Sequence, residues 1–194
     1  MTERARDQAE RAEESPIPPP RIYAASLSDY NAGRLHGAWI DADQEADELH
    51  TAVTAMLAAS SEPCAEEWAI HDYEGFGPVE LSEYETLERV SLLATGITEH
   101  GLGFAAWAAT AGTDPAALVL FEEAYRGHWD SLTAYAEELL DDLGASEVLE
   151  QVPDWLQPYM QLDVEGFARD LRLGGDVQTV EGDGGVWVFG GAVS

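Results

Sequence analysis

Residues 121–154 read FEEAYRGHWDSLTAYAEELLDDLGASEVLEQVPD, and the spacing inside this stretch decides how the chain is to be read. Leu132, Tyr135, Ala136, Leu139, Leu140 and Leu143 recur at i, i+3, i+4, i+7, i+8 and i+11, the apolar stripe of an amphipathic helix. At about 100° per residue, Glu137, Glu138, Asp141 and Asp142 fall on the opposite face and form a carboxylate ridge. Asp130 or Ser131 starts this helix, and Gly144 stops it. With Glu122, Glu123, Asp130, Glu147, Glu150 and Asp154, the stretch sets its acids against one cation, Arg126. Glu137 with Asp141 and Glu138 with Asp142 repel at i, i+4, each at a cost of roughly 0.2–0.5 kcal/mol. A few such pairs cost about 1–2 kcal/mol out of a typical total stability of about 5–15, which a fold tolerates. Most charge runs are simply solvated faces, so the ridge acquires meaning only from the rest of the chain.

The rest of the chain is just as acidic. Its 194 residues carry a formal net charge of −29, and all nine cations are arginine, because the sequence contains no lysine. A GC-rich coding sequence accounts for arginine over lysine; it does not account for the acid excess. The 45% apolar content is ordinary, so the chain has the means to bury a core. A field of this sign repels nucleic acid and anionic membrane surfaces and draws in proteins with basic clefts. Duplex DNA carries about one charge per 1.7 Å, so the net charge matches about 50 Å of duplex, and a dimer would match about twice that. DNA imitation is therefore open on charge alone, as is salt adaptation, which also raises acid and lowers lysine. Even scattering of the acids would favour salt adaptation, and ridges would favour a specific partner.

Cys64 is the single cysteine, which excludes an intramolecular disulfide framework and a multi-cysteine metal site. The first 20 residues lack the apolar core of a signal peptide, and no apolar run approaches the roughly 18 residues of a membrane span. A soluble, cytoplasmic protein is expected.

Taken in order, residues 1–20 end in Pro16, Pro18, Pro19 and Pro20 and read as a disordered arm. Residues 21–78 read as a small α+β domain. A strand opens at Arg21, Ser28 caps a short turn, and a second strand covers 35–40. Asp41 or Asp43 caps a helix to about residue 59 with Leu49, Val53, Met56 and Leu57 as its stripe, and a third strand covers 68–73. Residues 79–128 read as a helical middle domain. Ser82 and Glu85 form a capping box, followed by an inner face of Leu87, Val90, Ala94 and Ile97. Glu85 and Glu88 point away from that face, and Glu85 is placed to pair with Arg89 at i+4. A short helix over 104–111 follows, and then Asp114 and Pro115 open one that buries Leu118, Phe121 and Tyr125 and ends at Gly127. Residues 129–194 read as an α+β C-terminal domain. It contains the ridge helix, an apolar turn over 153–160, a helix capped by Asp163 and a hairpin whose strands, 177–181 and 186–189, flank Gly182-Asp183-Gly184-Gly185. The expected fold class is α+β, an elongated chain of three small domains.

Catalytic patterns fail one by one. His36, His50, His71, His100 and His128 are scattered without metal-ligand spacing. Asp41-Ala42-Asp43 lacks the glycine and terminal glutamate of a calcium loop. Gly101-Leu102-Gly103 lacks the third glycine of a dinucleotide loop, and the glycines after Gly182 lack both a following helix and a lysine. Carboxylates are so abundant that a pair of them carries no catalytic information. No catalytic residue, metal site or cofactor is expected. Tyr125, Trp129 and Trp155 flank the acidic stretch as candidate interface anchors, with core packing as the alternative.

At this point stretches beyond the acidic one matter. Residues 21–27, RIYAASL, and 30–41, YNAGRLHGAWID, resemble the opening of the ArdA antirestriction proteins, and FEEAYRG at 121–127 and FARDL at 167–171 resemble their later signatures, in the same order. The likeness spans about residues 21–189. It implies a mobile-element protein that imitates bent B-form DNA and occupies the DNA-binding groove of type I restriction-modification enzymes. It also implies no catalysis, no direct nucleic-acid binding, and a homodimer joined through the C-terminal region. The Pro-rich arm and the absence of lysine depart from the pattern. The carboxylates expected to stand in for phosphates are Glu85, Glu88, Glu122, Glu123, Glu137, Glu138, Asp141, Asp142, Glu147 and Glu150. The competing classes are an acidic mimic or adaptor for another DNA-binding protein, such as a repressor or nucleoid protein, and a salt-adapted globular domain.

Overall fold

A computed structural model describes residues 18–111, 115–182 and 184–191, leaving the side chains of residues 111 and 115 aside. Residues 1–17 of the proposed arm over 1–20, the Asp114 cap and Asp183 of the hairpin turn lie outside the described residues. The fold is α+β, with small antiparallel sheets and packed helices in two compact units, one within Glu13–Val119 and one within Leu120–Ser194.

The first unit is built on β1 (Arg21–Ser26), the central strand of an antiparallel sheet in the order β2-β1-β3, with β2 at Gly37–Asp41 and β3 at Trp68–Glu74. Ile22 and Ala24 of β1, Ile40 of β2 and Ile70 of β3 are buried, a period of two along β1 that gives the sheet one apolar face. The Ala46–Ala58 helix buries Leu49, Val53 and Met56, three of the four stripe residues expected. The Leu87–His100 helix buries Leu87, Val90, Leu93, Ala94 and Ile97 and packs against both the Ala46–Ala58 and Leu102–Ala111 helices. Gly96 makes that last crossing close, since a Cβ there would lie 2.3 Å from the Phe104 ring.

Two starts differ from the sequence expectation. Ser26, two residues before Ser28, caps the Leu27–Asn31 helix by accepting from the Asp29 N–H. Thr86 caps the Leu87–His100 helix by accepting from the Arg89 N–H, while Ser82 to Glu85 form a separate turn. In both cases the capping hydroxyl is the one immediately before the first helical residue.

The end of the proline run is anchored. Pro20 is buried and its carbonyl accepts from the Ala42 N–H at 2.9 Å. Gly75, at φ +81°, leaves the space this requires: a Cβ there would sit 2.4 Å from the Pro18 carbonyl oxygen and 2.7 Å from Pro20 Cα. Gly75→Ala therefore combines a strained φ with a backbone clash and should destabilise the protein by about 1–3 kcal/mol in urea unfolding. A wild-type midpoint for that variant would show that the proline segment does not rest there.

Asp29 is 1% exposed in a polar knot. Its carboxylate accepts from the Ser60 hydroxyl and, at 3.5 Å, from Arg34 Nε, and Arg34 also pairs with Glu62. The Ser60 hydrogen bond outweighs the opposing effect of burial and, with Ser26, Arg34 and nearby His36, holds the carboxyl below its ordinary value. A depressed folded value means the stabilisation is present above the unfolded pKa, about 3.9, and is lost as pH falls through the folded value. Relative to Asp29→Asn, the wild type should thus be more stable at pH 7, and the difference should shrink below about pH 4. Equal acid sensitivity in the two proteins would remove Asp29 from this role.

In the second unit the expected hairpin is present, with β5 at Val177–Gly182 and β6 at Gly185–Gly190. It gains a third strand, β4 (Tyr125–Trp129), in the order β4-β6-β5. The helix expected to run on to Gly127 is instead two single turns, Pro115–Leu118 and Phe121–Ala124, before the chain becomes extended. Pairing with the buried Val188 and Phe189 of β6 outweighs local helix preference, and Gly127, at φ +111°, lies at the register shift between the strands.

Candidate partner-binding surface

The ridge helix spans Leu132–Asp142, with Ser131 accepting from the Ala134 N–H at 3.1 Å as its cap. Ala136 is fully buried, Leu132, Tyr135, Leu139 and Leu140 are half-buried, and Leu143 is exposed. The helix packs against the Val164–Gly174 helix, whose Asp163 cap accepts from the Gly166 N–H, and against β4 and β6. That docking turns the other face outward. Glu137, Asp141 and Asp142 are exposed and Glu138 is half-buried. The chain turns at Gly144, φ +78°, into the Ala145–Glu150 helix, where Glu147 and Glu150 are also exposed. Asp141 accepts from the Ser146 hydroxyl at 2.6 Å, a bond that spans the two helices.

Local energetics oppose this arrangement. Asp141 and Asp142 occupy the last turn of their helix, at the negative end of its dipole, where no basic residue stands. Carboxylates at that end are unfavourable by about 0.3–1 kcal/mol each, and the i, i+4 repulsions add to this.

Glu122 and Glu123 are exposed on the Phe121–Ala124 turn. Arg126 follows them closely in sequence, yet its guanidinium donates to the carbonyls of Glu123 and Tyr125 at 2.7 and 3.2 Å. It fastens the main chain at the entry to β4. Tyr125 itself packs against Phe121 and Phe189, and burial raises its hydroxyl pKa.

The remaining two candidates belong to the first unit, and they differ from each other. Glu88 is exposed, with its own backbone N–H and the His50 ring, 3.4 Å away, holding its carboxyl below the ordinary range. Glu85 is 14% exposed and bonded to Arg89 Nη1 at 3.0 Å, the pairing expected from the spacing. Glu85 is thus largely covered and held by Arg89, whereas Glu88 faces solvent. Of the three aromatic anchors considered, Tyr125 and Trp129 are half-buried, and Trp155 is 73% exposed.

Among the described residues, no cluster of three or more His, Cys, Asp or Glu side chains is arranged to hold a metal ion, and no helix is long and apolar enough to cross a membrane. Compared with known families, the chain matches the model described as "Antirestriction protein (ArdA)" over residues 22–185. No curated protein matches the sequence.

Proposed function

The chain belongs to the ArdA antirestriction family, and from that premise we propose that it imitates B-form DNA in the DNA-binding groove of type I restriction-modification enzymes. One observation carries this reading. Exposed carboxylates continue from Glu137 through Asp142 to Glu150 on two successive helices, against the local cost in helix stability. A face that is costly to the free protein is accounted for by a partner that rewards it. Lysines and arginines that hold phosphates in the enzyme's cleft would bind these carboxylates and release counterions, as they do with DNA.

On this reading the protein is a stoichiometric inhibitor in the cytoplasm, without catalysis or cofactor, and it does not bind nucleic acid itself. A second copy joins through the C-terminal unit, where Leu143, Val148, Trp155, Tyr159 and Leu173 are left exposed. On the same reading the chain works as three functional lobes, over 21–78, 79–128 and 129–194.

The test is displacement of labelled target duplex from a purified type I enzyme by the full chain, repeated at several salt concentrations. Displacement at near-stoichiometric protein, with direct binding weakening steeply as salt rises, is expected. Failure against several such enzymes, with capture of a repressor or nucleoid protein instead, would transfer the mimicry to a different target.

A further inference from the structure

The outer face of the first unit's sheet carries an aromatic shelf that the carboxylate ridge does not explain. Arg21, Tyr23, Trp39, Asp41, Asp72 and Glu74 share this face, because Arg21 pairs with Asp41 and Glu74 in register, and Tyr23 with Trp39 and Asp72. The Tyr23 and Trp39 rings lie 5.5 Å apart, and Tyr23 extends over Gly37, where a Cβ would meet its Cζ at 2.8 Å. Trp39 is 41% exposed on β2, an edge strand. The Arg21 guanidinium already lies 4.8 Å from the Trp39 ring centroid and is tied to Glu74. The shelf thus binds one guanidinium within the chain and leaves part of the tryptophan open, with exposed Asp41 two residues along the same edge strand and exposed Asp72 on β3, across Tyr23.

We propose that the open part of this shelf receives an arginine of the partner's basic cleft, stacked on Trp39 and paired with Asp41 on the same strand. Charge complementarity selects the occupant: an aromatic surface within a field of net charge −29 favours a cation, and a planar guanidinium both stacks and makes paired hydrogen bonds. Asp41 and Glu74, both in register with Arg21, offset the repulsion from it. Stacking responds differently to salt from the ridge contacts. A carboxylate contact weakens as counterions compete, whereas a contact held by the ring face contributes little to the salt slope.

This inference rests on the DNA-groove reading, and the experiment separates the two. Duplex displacement from a type I enzyme is measured for wild type, Trp39→Leu and Trp39→Phe across a salt series. Trp39→Leu keeps an apolar cover for Tyr23 and removes the ring. It should need about fivefold more protein at every salt concentration, with an unchanged slope, within the range a stacked cation supplies. Trp39→Phe should stay within about twofold of wild type. In parallel, hydroxyl-radical footprinting of the wild-type chain should show Trp39 protected when the enzyme is added, a readout independent of how any variant folds. Wild-type displacement with Trp39 unprotected, or with both variants matching wild type, overturns the shelf and leaves the groove reading intact. A wild-type chain that displaces no duplex overturns the groove reading, and the shelf proposal with it.

Discussion

Changing Glu137, Glu138, Asp141 and Asp142 together to lysine reduces duplex displacement by about a hundredfold or more, while the variant stays folded. The two halves of this expectation come from different physics. In the complex, each reversal removes an attraction and places a like charge against the cleft, and like-charge juxtaposition costs several kcal/mol. In the free protein, the new lysines repel one another at i, i+4 much as the carboxylates did. At 141 and 142 they also face the negative end of the helix dipole, where a cation is favoured, and lysine is a better helix former than aspartate. The melting temperature should therefore hold or rise as inhibition disappears. A folded quadruple variant that inhibits normally would show that the partner does not touch this ridge.

Single alanine changes along the ridge behave differently. Exposed ion pairs contribute about 0.2–1 kcal/mol each, so removing one of many carboxylates lowers affinity by a factor of about five at most. Glu85 is a different case: it is largely covered, so its alanine variant removes the 3.0 Å bond to Arg89 Nη1 and should report on stability.

Periodicity made much of this molecule legible. The ridge helix, its Ser131 cap, the Asp163-capped helix and the C-terminal hairpin depend on neighbours within a few positions, and each forms where the spacing puts it. Tyr125–Trp129 was not legible in that way. Its strand exists because β6, some sixty residues later, offers a ladder, and no local rule carries that information. The alternation of Tyr125, Gly127 and Trp129 was the available signal, but continuation of the preceding helical pattern masked it. Charge was legible as composition and far less so as exposure. Helical spacing points Glu85 and Glu88 away from one core face, yet Glu85 lies in the turn before the helix, held by Arg89, and Glu88 meets His50 in solvent. The burial of Asp29 was likewise hidden, because its stabilising partners include Ser60, 31 positions away.

Phe189→Ala should lower stability by about 3–5 kcal/mol, the usual loss for a phenylalanine truncated in a core, out of a typical total of about 5–15. Phe189 is fully buried on the central strand of the second sheet, with its ring centroid 6.4 Å from that of Phe121 and 5.9 Å from that of Tyr125. These contacts hold β4 beside β6 and seat the turn that carries Glu122 and Glu123. Truncation leaves a cavity between three strand and turn elements that a β-ladder cannot readily close. The readouts are a large drop in the urea midpoint and a fall of the Tyr125 hydroxyl pKa toward the ordinary tyrosine value, since burial is what raises it. Phe189→Leu, which fills most of the space, should recover much of both. This variant is the counterpart of the ridge reversal. It keeps every carboxylate and should lose inhibition only as the fold that displays them melts, so inhibition should return on cooling below its midpoint. Loss of inhibition in a fully folded Phe189→Ala protein would mean that the β4–β6 seam itself meets the partner.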